Sequence, residues 1–168
     1  MQTFLTNTDH RLTAQSLDQK RLVKQLLEGR QIMEIITKPE YYRAEDDRIR
    51  VTPWAHHPAI MMWRDSVPYL GDYLNAIADE MKRRGYETSK NMTVINDVLS
   101  KHRNGEVPWW MERQNVFTNI INTHQASLFK KDSNYYSQWS QVSGDVCCAR
   151  CNYFWPSHYY ESGRKYAA

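Results

Sequence analysis

The sequence predicts a mainly α-helical, compact single domain with an irregular aromatic C-terminal tail. Three observations carry that expectation. Apolar residues recur at helical spacing over most of the chain, and no long alternating run rich in Val and Ile announces a strand. Pro and Gly number six each in 168 residues, and they fall where helices should start, bend or stop. At 41% hydrophobic and 24% charged, the composition is that of a folded protein with a core of its own.

The elements follow in order. Ser16-Leu17-Asp18 offers caps for a helix running to about Ile36, stopped by Lys38-Pro39. Residues 40–52 are charged and read as a loop. Pro58 suits the first turn of a second helix, Pro68 should kink or split it, and Gly85 should cap it behind Lys82-Arg83-Arg84. That basic triplet reads first as a solvated helix end complementing the dipole, with a phosphate contact as the alternative. Shorter helices are expected over Met92–Lys101 and from about Glu112 to Lys130. Met61-Met62-Trp63 and Trp109-Trp110 read as core. After Gln141 the chain is aromatic and irregular, so residues 1–140 are expected to form the domain and 141–168 an extension packed on it.

The first long helix is the most informative. Leu22, Leu26 and Met33 share one face, Val23 and Leu27 the flank, and Ile32 and Ile35 lie near the remaining side, so it is expected to be buried almost all round. One stripe breaks the pattern: Arg21, Lys24 and Glu28, with Gln25 beside them. Buried charge must be paired or face a polar site. The stripe is therefore either an internal ion-pair ladder or a carboxylate held among cations on a cleft wall, as acid/base chemistry on an anionic polymer requires.

Net charge is only +3 with His neutral, too small to identify a nucleic-acid partner by itself. No apolar run approaches a membrane span, and the N-terminus lacks signal-peptide character, so a cytoplasmic, non-membrane, monomeric protein is expected. Cys147, Cys148 and Cys151 lie too close together to staple a fold. With His158 they could form a Cys₃His zinc set. A closed zinc site usually shows two spaced pairs, so reduced, unliganded thiols are expected and no metal or organic cofactor is assigned. His56 and His57 precede Pro58 and read first as cap or packing residues.

Five segments, in order, now carry a resemblance: MQTFL, LDQKRLVKQLLE, WAHHPAIMMW with EMKRRGY, HQASLFKKDSNYY, and YFWP. Together they resemble the pyrimidine-dimer DNA glycosylases of phages and bacteria, over roughly residues 1–140, with YFWP beyond that stretch similar to the longer bacterial members. The resemblance implies a compact helical domain that binds double-stranded DNA, extrudes a base and cleaves the glycosidic bond of a cyclobutane pyrimidine dimer. It implies attack of an N-terminal α-amine on C1′, an imine intermediate and strand scission by β-elimination, an AP-lyase step. The glutamate that stabilises the cationic sugar is, by position, Glu28. Arg21, Lys24 and Arg30 are then expected on the backbone, with Gln25, His56 and His57 near phosphate or sugar. Lys130 and Lys131 interleave with Tyr135, Tyr136 and Trp139, which are the candidates for stacking a displaced base.

The chemistry is sound independently of the name. An α-amine has a reference pKa of about 7.7–8.0 and is partly neutral near pH 7. Oxocarbenium character at C1′ is stabilised by a nearby carboxylate. The sequence departs from the phage form at residue 2, which is Gln rather than a small residue, so Met1 is expected to be retained. Three nucleophiles stay open, in this order: the Met1 amine, Lys24, or water activated by Glu28. Two alternatives also remain, a glycosylase for another modified base and a non-catalytic DNA-binding protein on the same scaffold.

Overall fold

Two aspartates start the first two helices. Asp9 accepts the Arg11 amide at 2.7 Å and opens α1 (His10–Ser16). Asp18 accepts the Arg21 amide at 3.0 Å and opens α2 (Gln19–Thr37), as its place in the sequence leads one to expect. The computed structural model describes residues 2–38, 42–43, 49–50, 52–146 and 152–156. Helix α1 is absent from the sequence reading, because seven residues are too few to show a period.

The stretch expected to be a loop holds a minimal antiparallel ribbon, β1 (Tyr42–Arg43) and β2 (Ile49–Arg50), with Tyr42 opposite Arg50. A 3-10 turn over Pro53–His56 leads to α3 (Pro58–Met61) and then α4 (Val67–Arg83). The break between α3 and α4 precedes Pro68, at Asp65, whose φ is +68°. Pro68 itself sits in the first turn of α4, where its missing N–H is not needed. Gly85, with φ +82°, ends the helix, and the Tyr86 amide closes back on the Met81 carbonyl at 2.9 Å. Helices α5 (Ser89–Lys101) and α6 (Gln114–Lys131) follow, then a 3-10 turn over Ser137–Trp139. The fold is mainly helical, as expected.

Lys82 and Arg83 are exposed at the end of α4, as expected, but Arg84 is turned inward. Glu80 is buried and accepts from Arg83 at 2.7 Å and from Arg84 at 2.6 Å. Arg84 also donates to the Leu17 and Gln15 carbonyls at 2.8 and 3.0 Å. It thereby fastens the α1–α2 turn to α4.

Helix α2 packs against α4 and α5. Leu22, Leu26, Ile32 and Met33 meet Leu70, Leu74 and Ile77, with Trp63 and Trp110 fully buried beside them. Each such side chain contributes roughly 1.5–3 kcal/mol by leaving water. Gly29 lets α2 approach α4 closely, since a Cβ there would overlap Leu74 Cδ2. The α2 flank departs from expectation: Val23 and Leu27 are 40% and 41% exposed, so α2 is amphipathic and not buried all round. Among the described residues no helix is long and apolar enough to cross a membrane. Phe154 and Trp155 return from the tail into the same core.

Candidate active site

Residues 2–6 are buried yet belong to no helix or sheet. Their backbone polar groups therefore need side-chain partners. From α2, Gln25 Oε1 accepts the Phe4 amide at 2.7 Å. From α4, the Tyr73 hydroxyl lies 3.0 Å from the Phe4 carbonyl and 2.8 Å from Gln25 Oε1. From α6, His124 Nδ1 accepts the Leu5 amide at 2.9 Å and Gln125 donates to the Thr6 carbonyl at 2.7 Å. Trp63 Nε1 donates to Thr3 Oγ1 at 2.9 Å. The segment is clamped by three helices, and its first described nitrogen, Gln2 N, donates to Glu28 Oε2 at 3.2 Å.

His124 anchors this clamp from below. It is fully buried, and burial pushes its pKa down to about 3. Its Nδ1 accepts from a backbone amide, so in the neutral ring Nε2 carries the proton. Gln2 Nε2 lies 2.9 Å from that Nε2 and donates to the Thr3 carbonyl at 3.2 Å.

Above the clamp opens a cavity of about 640 Å³. Four cations line it: Lys20, Arg21, Lys24 and Lys131. Glu28 is the carboxylate among them, with its side chain 12% exposed and Oε1 3.4 Å from Lys24 Nζ. Phe4, His57, Tyr153 and Trp155 supply rings, and Gln2, Gln25 and Asn152 supply amides. His57 Nδ1 caps α3 by accepting the Ala59 amide at 3.2 Å, and burial lowers its pKa. A carboxylate beside a cationic wall can stabilise positive charge developing on a sugar whose phosphates the cations hold.

The structure gathers Glu28, Lys24, Arg21, Gln25, His57 and Lys131 from the residues singled out in the sequence. Two of these have other commitments. Arg21 Nη1 pairs with Asp18 Oδ2 at 2.5 Å, rather than with Glu28. Gln25 is 1% exposed and its oxygen holds the N-terminal segment, so it supports the site from within.

Several expected DNA contacts lie elsewhere. Arg30 sits about 200° around α2 from Glu28, off the cavity wall, and faces Glu34 at 3.9 Å. His56 and Lys130 are exposed but do not line the cavity. Tyr136 cannot stack a base. It is fully buried, its hydroxyl donates to Asp18 Oδ2 at 2.5 Å, Trp139 lies parallel at 5.2 Å, and Arg21 covers it at 5.5 Å. Trp139 is committed to that stack, while Tyr135 is half-exposed with its hydroxyl 3.3 Å from the Leu17 carbonyl. Met1, Cys147, Cys148, Cys151 and His158 lie outside the described residues.

Sequence reasoning missed the roles of Lys20, His124, Asn152, Tyr153 and Trp155. The YFWP segment was a visible signal for the last two, but nothing in it says which cavity it reaches.

The model of a family described as pyrimidine dimer DNA glycosylase matches residues 1–94. The chain belongs to that family. The match takes in the N-terminal segment, α3, α4 and all of α2, which carries Glu28 and three of the cavity's four cations. It leaves out α6 and the Asn152–Trp155 segment, which close the other side. No curated protein and no solved structure matches the chain. As a pyrimidine dimer DNA glycosylase family member, the chain has DNA as its substrate class and base excision as its activity class.

Proposed function

We propose that the chain excises a damaged pyrimidine, a cyclobutane dimer, from double-stranded DNA, with Glu28 beside the reacting sugar and an amine as nucleophile. One observation carries the reading: Gln2 N donates to Glu28 at 3.2 Å from a clamped, buried N-terminal segment at the mouth of a cationic cavity. Met1 is joined to that nitrogen, so three bonds separate it from the Met1 α-amine. An amine there attacks C1′ as the glycosidic bond breaks; the base takes the bonding electrons and stays joined to its partner pyrimidine through the cyclobutane ring. Glu28 stabilises the positive charge that builds on the sugar. The nitrogen lone pair then expels O4′, which takes up a proton as the ring opens to an iminium, and proton loss at C2′ expels the 3′ phosphate, cutting the strand. Lys20, Arg21, Lys24 and Lys131 hold backbone phosphates.

Lys24 is the second candidate nucleophile, since its Nζ lies 3.4 Å from Glu28. Its ammonium is ion-paired and 64% exposed, and an ammonium lacks the lone pair that attacks. The α-amine therefore ranks first.

The test is an end-labelled duplex with one thymine dimer, incubated with and without borohydride. Strand cleavage with a trapped covalent adduct supports the reading, and peptide mapping chooses between Met1 and Lys24. Glycosidic cleavage without an adduct, read as free thymine released after photoreversal of the dimer, replaces the amine with water activated by Glu28. DNA binding with no glycosidic cleavage sinks the dimer-excision reading. Glu28→Gln should abolish cleavage and leave DNA affinity within a few-fold; an active Gln variant refutes the assignment of Glu28.

A further inference from the structure

We propose that His57 acts on the departing base: its Nε2–H donates to O2 of the lesion pyrimidine and stabilises the negative charge that forms there as the glycosidic bond breaks. The inference rests on the glycosylase reading and adds to it a leaving-group role that neither Glu28 nor the cations fill.

The tautomer follows from local structure. His57 is the N-cap of α3, a place where a side-chain acceptor satisfies a backbone amide. Its Nδ1 accepts the Ala59 amide at 3.2 Å, so in the neutral ring Nε2 carries the proton. Burial lowers the pKa of the ring, with the Glu28 carboxylate acting in the opposite sense, and the ring is neutral at pH 7. Its plane is set on two sides: Trp54 lies against it at 5.6 Å and Trp155 meets it edge-to-face at 6.2 Å. Turning the ring over would put a C–H against the Ala59 amide. Nε2 has no hydrogen-bond partner among the described residues, and it is not sealed from solvent. His57 lines the cavity that Glu28 lines, so this donor opens into the space where the reacting nucleotide sits.

The chemistry has a use for such a donor. As N1 parts from C1′ it keeps the electron pair, which spreads through the adjacent carbonyl onto O2. Saturation of the 5,6 bond leaves that unit intact. Lys20, Arg21, Lys24 and Lys131 suit phosphates, which are fully charged before the reaction starts. Glu28 is an anion; it serves the sugar and would repel charge on the base. A neutral donor of fixed direction is matched to charge that develops only in the transition state. His57 keeps its proton throughout. The proton shed by the attacking nitrogen is balanced by the one the base takes up from water.

Two substitutions separate the two ring nitrogens. Asn sets an acceptor where Nδ1 stands, keeping the cap and losing the donor. Gln sets an amide N–H near the Nε2 position, keeping the donor and losing the cap. Three quantities are measured for the wild type, His57→Asn and His57→Gln: single-turnover glycosidic cleavage of a thymine-dimer duplex, affinity for a duplex carrying a tetrahydrofuran abasic analogue, and the urea unfolding midpoint. His57→Asn should slow cleavage about 100-fold, with abasic-duplex affinity within about threefold and the urea midpoint unchanged. His57→Gln should cleave at least about 10-fold faster than His57→Asn although its urea midpoint is lower. His57→Asn cleaving at the wild-type rate overturns the assignment. So does an equal loss of cleavage and abasic-duplex affinity, which marks a phosphate contact, and so does a Gln variant no faster than the Asn one. A wild type that cleaves no glycosidic bond overturns the glycosylase reading itself, and this role with it.

Discussion

Acid should loosen the N-terminal segment through His124. Its folded pKa is pushed down to about 3 by burial, against about 6.5 for an unfolded histidine. Between those values the unfolded chain binds a proton that the native ring refuses. Stability from this group is therefore complete above about pH 6.5 and is lost as pH falls toward 3, at about 1.4 kcal/mol per unit. At pH 4.5, two units below the unfolded value, the loss is about 2.7 kcal/mol, a large part of a typical 5–15 kcal/mol. Protonating Nδ1 would also sacrifice the bond from the Leu5 amide. His10 and His57 are depressed by burial too and act with the same sign. The assay is a difference of differences: urea unfolding at pH 7.5 and 4.5 for the wild type and His124→Asn, whose oxygen can accept the Leu5 amide. The variant should lose about 2–3 kcal/mol less than the wild type on acidification. Equal losses in the two proteins would refute the argument.

Three further outcomes follow from the geometry. Lys20→Ala and Lys131→Ala should each lower the slope of log affinity for DNA against log salt by about 1, whereas Arg30→Ala, off the cavity wall, should leave it unchanged; titrations at several salt concentrations decide. Tyr136→Phe should destabilise by about 1–3 kcal/mol in urea unfolding, because Asp18 loses a bond from its amide at 3.0 Å and one to its carboxylate at 2.5 Å, and DNA affinity should stay the same. Gly29→Ala should destabilise by about 1–3 kcal/mol and lower base excision, since the new Cβ pushes Leu74 and α2 apart beside Glu28; recovery in the Gly29→Ala, Leu74→Ala pair would confirm the overlap as the cause.

The long helices were legible because each has enough turns to show its period and a residue that ends it. Asp18 and Gly85 mark ends that need no tertiary information. The break at Asp65 was not legible in position, since nothing local requires a positive φ there. Arg84 was misread for another reason. A basic residue at a helix end satisfies the dipole equally well in water or on a neighbouring carbonyl, and only the fold brings Leu17 and Gln15 within reach. Residues 147–151 and 157–168 bear on the tail expectations and lie outside what the structure describes.

The cationic and carboxylate half of the site was legible because it lies on one helix, where spacing fixes direction. Residues 21, 24 and 28 share a stripe on α2, and the same arithmetic sets Arg30 on the far side. The aromatic half had no such ruler. A count of Tyr and Trp says how much ring surface exists, not which rings have their faces taken. Tyr136 looked available because it follows two lysines, yet Asp18, 118 residues away, claims its hydroxyl and Trp139 its face. His124 had no partner within its own neighbourhood, and its partners Gln2 and Leu5 lie 122 and 119 residues distant. A site assembled from both ends of a chain is readable only where one element carries several of its residues. That is why the place of Glu28 on the cavity wall could be read from spacing while the wall facing it could not.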